Sequence, residues 1–236
     1  MHFLKIYLLF LFFFMIHGCE RDPTVPEPEE SLVVNILLIT GESRQKAVIT
    51  KVVSNDHTEP SYVDDISLII NDIHFKRNED YVIRGVGIDF SWDYNYYSDS
   101  LEVTPGKIYR MKIITLEGDT ITGQTKVPND FDISIDDDLH VQWESQKNVK
   151  AYKFSVYKKD DSGNLFPLLD EVVFANNYHI DSGIFSGSGP YWIKITAFDE
   201  NFYEYVVKEK DQYGITGGLG VFGSAVEIYK NCYIKK

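Results

Sequence analysis

Short runs of apolar and β-branched residues, separated by turn-forming residues, recur along most of this chain and limit what it can fold into. Residues 33–39, 47–53, 66–70 and 108–116 are four such runs. Runs of this length, with turn signals at ~8–12-residue spacing, are typical of antiparallel β-sandwiches. No window combines a helical period with helix caps. We therefore expect an all-β fold.

The second half of the chain repeats this pattern after a candidate domain boundary. Pro128 is followed by the turn formers Asn129 and Asp130, which would end one set of strands before another begins. The runs 151–157 and 191–197 then alternate strictly. We expect two β-sandwich domains in series, over residues 33–128 and 129–236, the second with a glycine-rich C-terminal strand.

The N-terminal segment has the layout of a bacterial secretory signal. Lys5 precedes the unbroken apolar run 6–16, which is shorter than the ~20 residues of a membrane-spanning helix. Ile16 and Gly18 before Cys19 resemble the lipobox of bacterial lipoproteins, whereas His17 departs from that pattern. The resemblance implies cleavage after residue 18 and acyl chains, such as palmitate, on Cys19. The alternative is ordinary secretion that leaves Cys19 as a thiol.

This layout also predicts a flexible tether and a cellular location. Residues 19–32 would form a flexible tether after the signal peptide (1–18), because prolines and acids dominate residues 20–30 and bury no apolar surface. We expect a protein anchored by lipid in the outer membrane, facing the periplasm or the cell surface. Its expected partners are the membrane, through the anchor, and an envelope protein or a glycan.

Charge and cysteine content exclude several classes of protein. The formal net charge of −13 argues against nucleic acid as a partner, since phosphates require a basic surface. With Cys19 lipidated, Cys232 has no second cysteine for a disulfide, and a cysteine-rich zinc site is excluded. A Cys19–Cys232 bridge is the alternative if Cys19 carries no lipid.

Large apolar residues alternate on three runs of the second half. They are Trp143; Tyr152, Phe154 and Val156; and Tyr191, Ile193, Ile195 and Ala197. On these positions, residues 139–198 resemble a fibronectin type III-like sandwich, which implies that these side chains lie in its core.

The first half carries a second set of motifs. They are the 65–69 run; Leu101, Pro105, Gly106 and Tyr109; and Gly118, Asp119, Gly123, Thr125, Val127 and Pro128. On these motifs, residues 33–128 resemble a small sandwich of the carboxypeptidase-regulatory or transthyretin type. Together with the glycine-rich segment 217–224, the chain resembles Bacteroidetes-type lipoproteins called domain of unknown function 4249. That resemblance implies an envelope lipoprotein and assigns no catalytic residue.

Gly218, Gly220 and Gly223 match a dinucleotide-binding fingerprint by spacing alone. The fingerprint requires a preceding strand, a following helix and an acidic residue ~20 positions later, and the chain ends at residue 236. We expect a glycine-bent strand instead, in which small residues allow another backbone to approach closely.

The aromatic stretch 89–97 is the strongest candidate for a ligand site. Strand alternation would place Phe90, Trp92, Tyr94 and Tyr96 on one face and Asn95 on the other. If exposed, Trp92, Tyr94 and Tyr96 would stack on a sugar or peptide. The alternative is that this face is sandwich core, where large aromatic residues are mostly found.

No pattern supports catalysis or metal binding. The acidic pairs and triplets at 64–65, 136–138 and 160–161 lack EF-hand spacing and favour turns, and no histidine pair has HExxH spacing. We expect no catalytic residue, metal or cofactor, and a non-catalytic role in binding a protein partner or an extracellular polymer. The alternative functions are a glycan-binding accessory lipoprotein of a nutrient-uptake system and, on acid abundance alone, a hydrolase.

Overall fold

The computed structural model describes residues 31–51, 61–79, 94–160 and 163–235. Within these ranges, nearly all regular structure is β-strand, with one short α-helix and one 3-10 turn (Ser182–Ile184). The strands and the helix are β1 Leu32–Ile39, β2 Gln45–Lys51, β3 Ser61–Tyr62, β4 Ile66–Ile70, β5 Ile73–His74, β6 Lys76–Arg77, β7 Tyr96–Ser98, β8 Ile108–Thr115, β9 Thr120–Lys126, β10 Ile133–Ile135, β11 His140–Trp143, β12 Tyr152–Lys159, β13 Leu165–Val173, β14 Asn177–His179, β15 Gly189–Phe198, α1 Glu200–Val206, β16 Gln212–Tyr213, β17 Ile215–Thr216 and β18 Leu219–Ile234.

Two sheets build the first half of the chain. One has the order β17-β9-β8-β4-β5, and the other contains β18-β1-β2-β7-β6, with β3 beside β2. Alternate residues of β1, such as Val34, Ile36 and Leu38, are buried, while the residues between them are partly exposed. This period of two gives each sheet one core face and one outer face.

Two sheets also build the second half. The order β10-β11-β14 forms one, and the other is the part β13-β12-β15-β18 of the ten-stranded sheet that continues into β1-β2-β7-β6. Trp143, Phe154 and Ile195 are buried, and the rings of Trp143 and Phe154 stack with centroids 6.1 Å apart. The expected all-β fold is confirmed. The three-plus-four strand order is that of a fibronectin type III-like sandwich.

The last strand joins the two halves. Residues 219–225 of β18 pair in parallel with β1, and residues 225–234 pair antiparallel with β15. Most of the described buried apolar residues, from both halves of the chain, form one continuous core, and Ser31–Lys236 is one compact unit. The division at residue 128 stays a prediction, but the structure shows that the largest sheet continues across it.

Close backbone approach explains the glycine-rich segment. Gly220 has φ +95°, and a Cβ at this position would collide with the carbonyl oxygen of Val34 on β1. At Gly223, a Cβ would lie 3.0 Å from the Cβ of Phe202 on α1. These glycines bring β18 against its neighbours and form no nucleotide-binding loop, since a strand and not a helix follows them.

The connection at the expected boundary is short and held by side chains. Residues 127–132 have no regular structure, and Val127 and Pro128 are buried. The Gln146 side chain accepts a hydrogen bond from the Asn129 N–H at 2.7 Å and donates one to the Asn129 carbonyl at 2.6 Å.

Among the described residues, no helix has the length and apolar character needed to cross a membrane.

Candidate functional site

A pocket of 120 Å³ lies on the outer face of β1 and β2. Its apolar floor is made by Leu37 and Ile39 of β1 and Val48 of β2, which point away from the core because their strand neighbours point into it. Each of the three is partly exposed. We call this site the outer pocket; its remaining lining residues are Asn35, Glu42, Arg44, Gln45, Lys46 and Tyr94.

Gln45 fixes the turn at one end of the outer pocket. Its side chain is 2% exposed, accepts a hydrogen bond from the Ile39 N–H at 3.0 Å and donates to the Ile39 and Glu42 carbonyls. A buried amide needs such partners to offset its loss of hydration. The hydrogen bonds of the Gln45 side chain therefore hold the turn that carries Glu42 and Arg44.

Arg44 is held at the rim by three side chains. Its Nε lies 2.6 Å from Asp99 Oδ1, its Nη1 donates to the Tyr94 hydroxyl at 3.0 Å, and its guanidinium lies 4.4 Å from the Tyr97 ring centroid. Hydrogen bonding to Asp99 raises the pKa of Arg44, and the same bond lowers the pKa of Asp99. Both side chains are exposed, so this pair orients the cation more than it stabilises the fold.

A second cation lies beside the same tyrosine. Lys46 Nζ is 5.2 Å from the centroid of the Tyr94 ring, and the Tyr94 and Tyr97 rings meet edge to face at 6.0 Å. The outer pocket thus combines an apolar floor with two cations and two tyrosines near its mouth. This chemistry suits a small apolar group that carries polar or anionic substituents.

The structure separates the residues that the aromatic stretch suggested. Tyr94 lies at the outer pocket, Tyr96 is only 2% exposed in the core, and Trp92 lies outside the described residues. The alternation expected over this stretch fails at Asn95, which is buried beside Tyr96 because regular strand begins only at residue 96. A buried Tyr96 ring cannot stack on a ligand, and a stacking role for Trp92 and Tyr94 stays a prediction.

Sequence reasoning missed most of the site. Arg44 and Lys46 are two residues apart, but Asp99 comes from a loop far along the chain, and no local motif links it to them. Tyr97 lies in the aromatic stretch, next to the positions that alternation favoured. The available signal was a pair of cations flanking Gln45 on an acidic chain.

A buried carboxylate marks a second polar cluster, where β9, β18 and α1 meet. Asp199 caps α1 by accepting from the Phe202 N–H at 3.0 Å, and the Thr125 hydroxyl donates to its other oxygen. The hydroxyls of Thr125 and Ser224 are 2.8 Å apart, and all three side chains are at most 4% exposed. Burial raises the pKa of Asp199 to about 6. No ligand reaches a carboxylate so enclosed, so we assign it a structural role.

The structure also pairs two of the scattered histidines. His140 on β11 and His179 on β14 are directly paired, with ring centroids 4.5 Å apart. The Asp136 carboxylate stabilises the turn before β11, because it accepts hydrogen bonds from the N–H groups of Asp138 and His140. Over the described residues, no three metal-binding side chains come together. Cys19 lies outside those residues, and Cys232 is a free, half-buried thiol.

Comparison with known proteins gives only distant structural similarity. No family model matches the chain, and no curated protein matches it. The FN1–FN3 domains of chicken CNTN1 are 15% identical over 86% of this chain and 66% of that one, with a TM-score of 0.28. A tetra-tandem repeat in the extending region of a large adhesion protein is 12% identical over 87% of this chain and 49% of that one, with a TM-score of 0.25.

The chain thus spans just under two thirds of the first structure and about half of the second. Similarities of this size decide neither the fold nor the function. The strand order described above shows the sandwich architecture directly.

Proposed function

We propose that this chain is a non-catalytic, lipid-anchored protein of the outer membrane, which presents β-sandwich modules to bind a protein partner or an extracellular polymer. The observation that carries the proposal is the outer pocket. It offers an apolar floor and two cations, of which Arg44 is oriented by its hydrogen bond to Asp99. Such a surface can hold an apolar group and fix its orientation through polar or anionic substituents.

The anchor rests on the sequence. The short apolar run before Cys19 and the proline-rich segment after it support export, acylation and a tether. The sequence motifs of the two halves and the glycine-rich segment 217–224 support a relationship to the lipoproteins called domain of unknown function 4249. On this proposal the sandwiches stand away from the membrane, on the periplasmic or the cell-surface side.

An anionic or amphipathic segment of a protein partner is the occupant that we favour for the outer pocket. The molecule carries a formal net charge of −13, yet Arg44 and Lys46 both lie at this site. Opposite charge on the partner would speed its encounter with this spot and fix its orientation. A glycan-binding accessory role is the second candidate, because Tyr94 and Tyr97 are partly exposed and aromatic faces can stack on a sugar ring.

A pull-down of the full-length chain from its native membrane in mild detergent tests the binding proposal. We expect a stoichiometric partner with the natural chain and its loss with Lys46→Glu, because the substitution reverses a charge at the pocket mouth. Lys112→Glu is the matched control, since Lys112 is exposed on β8 of the opposite sheet. A partner retained by Lys46→Glu, or no partner at all, would contradict the proposed role of the pocket.

The anchor has its own test. Cells fed labelled palmitate should label the natural chain and not Cys19→Ala, and the variant should leave the membrane fraction. Equal labelling and equal membrane association of the two chains would refute lipidation at Cys19.

A further inference from the structure

The outer face of the four-stranded sheet in the second half carries aromatic residues that neither fold nor pocket explains. Tyr157 on β12, Trp192 on β15 and Asn231 on β18 are directly paired in register, so their side chains share one face. Their strand neighbours Val156 and Ile193 are fully buried on the opposite, core face. We call Tyr157, Trp192 and Asn231, with the flanking Tyr229 and Tyr233, the aromatic strip.

The aromatic strip is open to solvent. Tyr229 is 47% exposed and Tyr233 66% exposed, Asn231 is exposed, and Tyr157 and Trp192 are partly exposed. Neighbouring strands lie about 4.8 Å apart, so the row from Tyr157 to Asn231 covers roughly 10 Å, comparable to two joined sugar rings. Large aromatic side chains are mostly buried, so four outward-facing aromatic residues on three strands need another explanation.

Lys194 and Glu227, which lie beside the strip, neutralise each other. Lys194 Nζ lies 3.0 Å from Glu227 Oε1, and these two side chains are only 16% and 14% exposed. The ammonium also lies 5.7 Å and 5.8 Å from the ring centroids of Tyr157 and Tyr229, and the Tyr229 hydroxyl donates to Glu227 Oε2. The cation and the carboxylate thus contact the rings and neutralise each other.

We propose that the aromatic strip binds a linear neutral polysaccharide. Ring faces stack on the C–H face of a sugar, while the Asn231 amide, a donor and an acceptor, matches hydroxyl groups. Neutral sugars fit because Lys194 is already paired, and the acidic molecule would repel a polyanion.

This proposal rests on the non-catalytic binding role above, but on a different surface from the outer pocket. Titration of the full chain with cellohexaose, xylohexaose, mannohexaose and maltohexaose tests it, in a detergent that has no sugar headgroup. We expect at least one oligosaccharide to bind, and Trp192→Ala to weaken that binding by about tenfold or more. Trp192→Phe should retain part of it, because a ring remains.

Phe174→Ala is the control, because Phe174 is an exposed aromatic residue beyond the far end of β13 and outside the strip. Asn231→Ala keeps the test valid if Trp192→Ala does not fold, since Asn231 is exposed. No binding by the natural chain, or unchanged binding by folded Trp192→Ala and Asn231→Ala, would overturn the proposal. If no oligosaccharide binds but the pull-down yields a partner that depends on Lys46, the strip proposal fails and the role of the outer pocket stands. If an oligosaccharide binds to the strip but no such partner is found, the role of the outer pocket fails and the strip proposal stands.

Discussion

Asn95 holds three segments of the first half together through one side chain. Its Oδ1 accepts from the Ile49 N–H at 2.8 Å, and its Nδ2 donates to the carbonyls of Ile49 and Val63 at 2.8 and 3.0 Å. The side chain is fully buried. It therefore supplies the acceptor for the buried Ile49 N–H and a donor to two carbonyls, of which the Ile49 carbonyl also accepts from the Val63 N–H.

We predict that Asn95→Ala lowers the free energy of unfolding by about 2–4 kcal/mol, because buried backbone groups lose their partners. Asn177→Ala, at an exposed position of β14, should change it by less than about 0.5 kcal/mol. Urea denaturation followed by circular dichroism measures both values. Equal stability of the two variants would mean that water replaces the amide without cost.

At the scale of one element, β18 depends on glycine where it meets β1. Gly220 adopts φ +95° against the Val34 carbonyl, whereas Gly187 has open space around the position of a Cβ. We predict that Gly220→Ala costs about 3 kcal/mol or more, from both collision and backbone strain. Gly187→Ala should be close to neutral.

Thermal unfolding of the two glycine variants in parallel checks this prediction. A melting temperature for Gly220→Ala equal to that of Gly187→Ala would show that β1 and β18 separate without loss of stability. Such a result would also remove the physical account of the glycine-rich segment given above.

Helix α1 begins at a carboxylate whose protonation changes the stability of the fold. Burial raises the pKa of Asp199 from 3.8 to about 6. A raised folded-state pKa means that the folded protein binds this proton more tightly than the unfolded chain does. The contribution is fully present below about pH 4 and is lost as the pH rises through about 6.

We therefore predict that Asp199→Asn removes a pH-dependent loss of up to about 3 kcal/mol between pH 4 and pH 7. Asparagine keeps an acceptor for the Phe202 N–H but does not ionise. Urea denaturation at four pH values gives the difference in stability between the two proteins, which should shift in favour of Asp199→Asn as the pH rises. A constant difference across this range would show that Asp199 does not titrate there.

At the scale of the whole molecule, the shared strand couples the two halves. β18 lies beside β1 with its first residues and beside β15 with its last, so each half loses a neighbouring strand when β18 is removed. We predict one cooperative unfolding transition for residues 31–236. Hydrogen exchange in rising urea should show the protection of β8 and of β12 lost together.

Separate transitions for β8 and β12 would contradict this coupling and would favour two independent sandwiches divided near residue 128. As a control, a chain that ends at residue 218 should protect neither strand. If the shortened chain still protects β8, the first sheet is stable without β18.

Local pattern was enough to predict part of this architecture. The alternation in β1 and β12 and the buried Trp143 and Tyr191 follow directly from a period of two, because one face of a sandwich strand must be apolar. The outer pocket was not predictable in this way. Arg44 meets Asp99 across many intervening residues, and no spacing rule gives that distance.

The sequence by itself therefore determined the strand character of the chain, since the alternation of side chains along a strand is a local property. It also placed the connection near residue 128, because proline and turn formers act on their own backbone. Only the tertiary structure decided that β18 serves both halves, that Asn95 and Tyr96 face the core, and that Tyr157, Trp192 and Asn231 form one row. Register between distant strands depends on how whole sheets pack, which no short segment of sequence encodes.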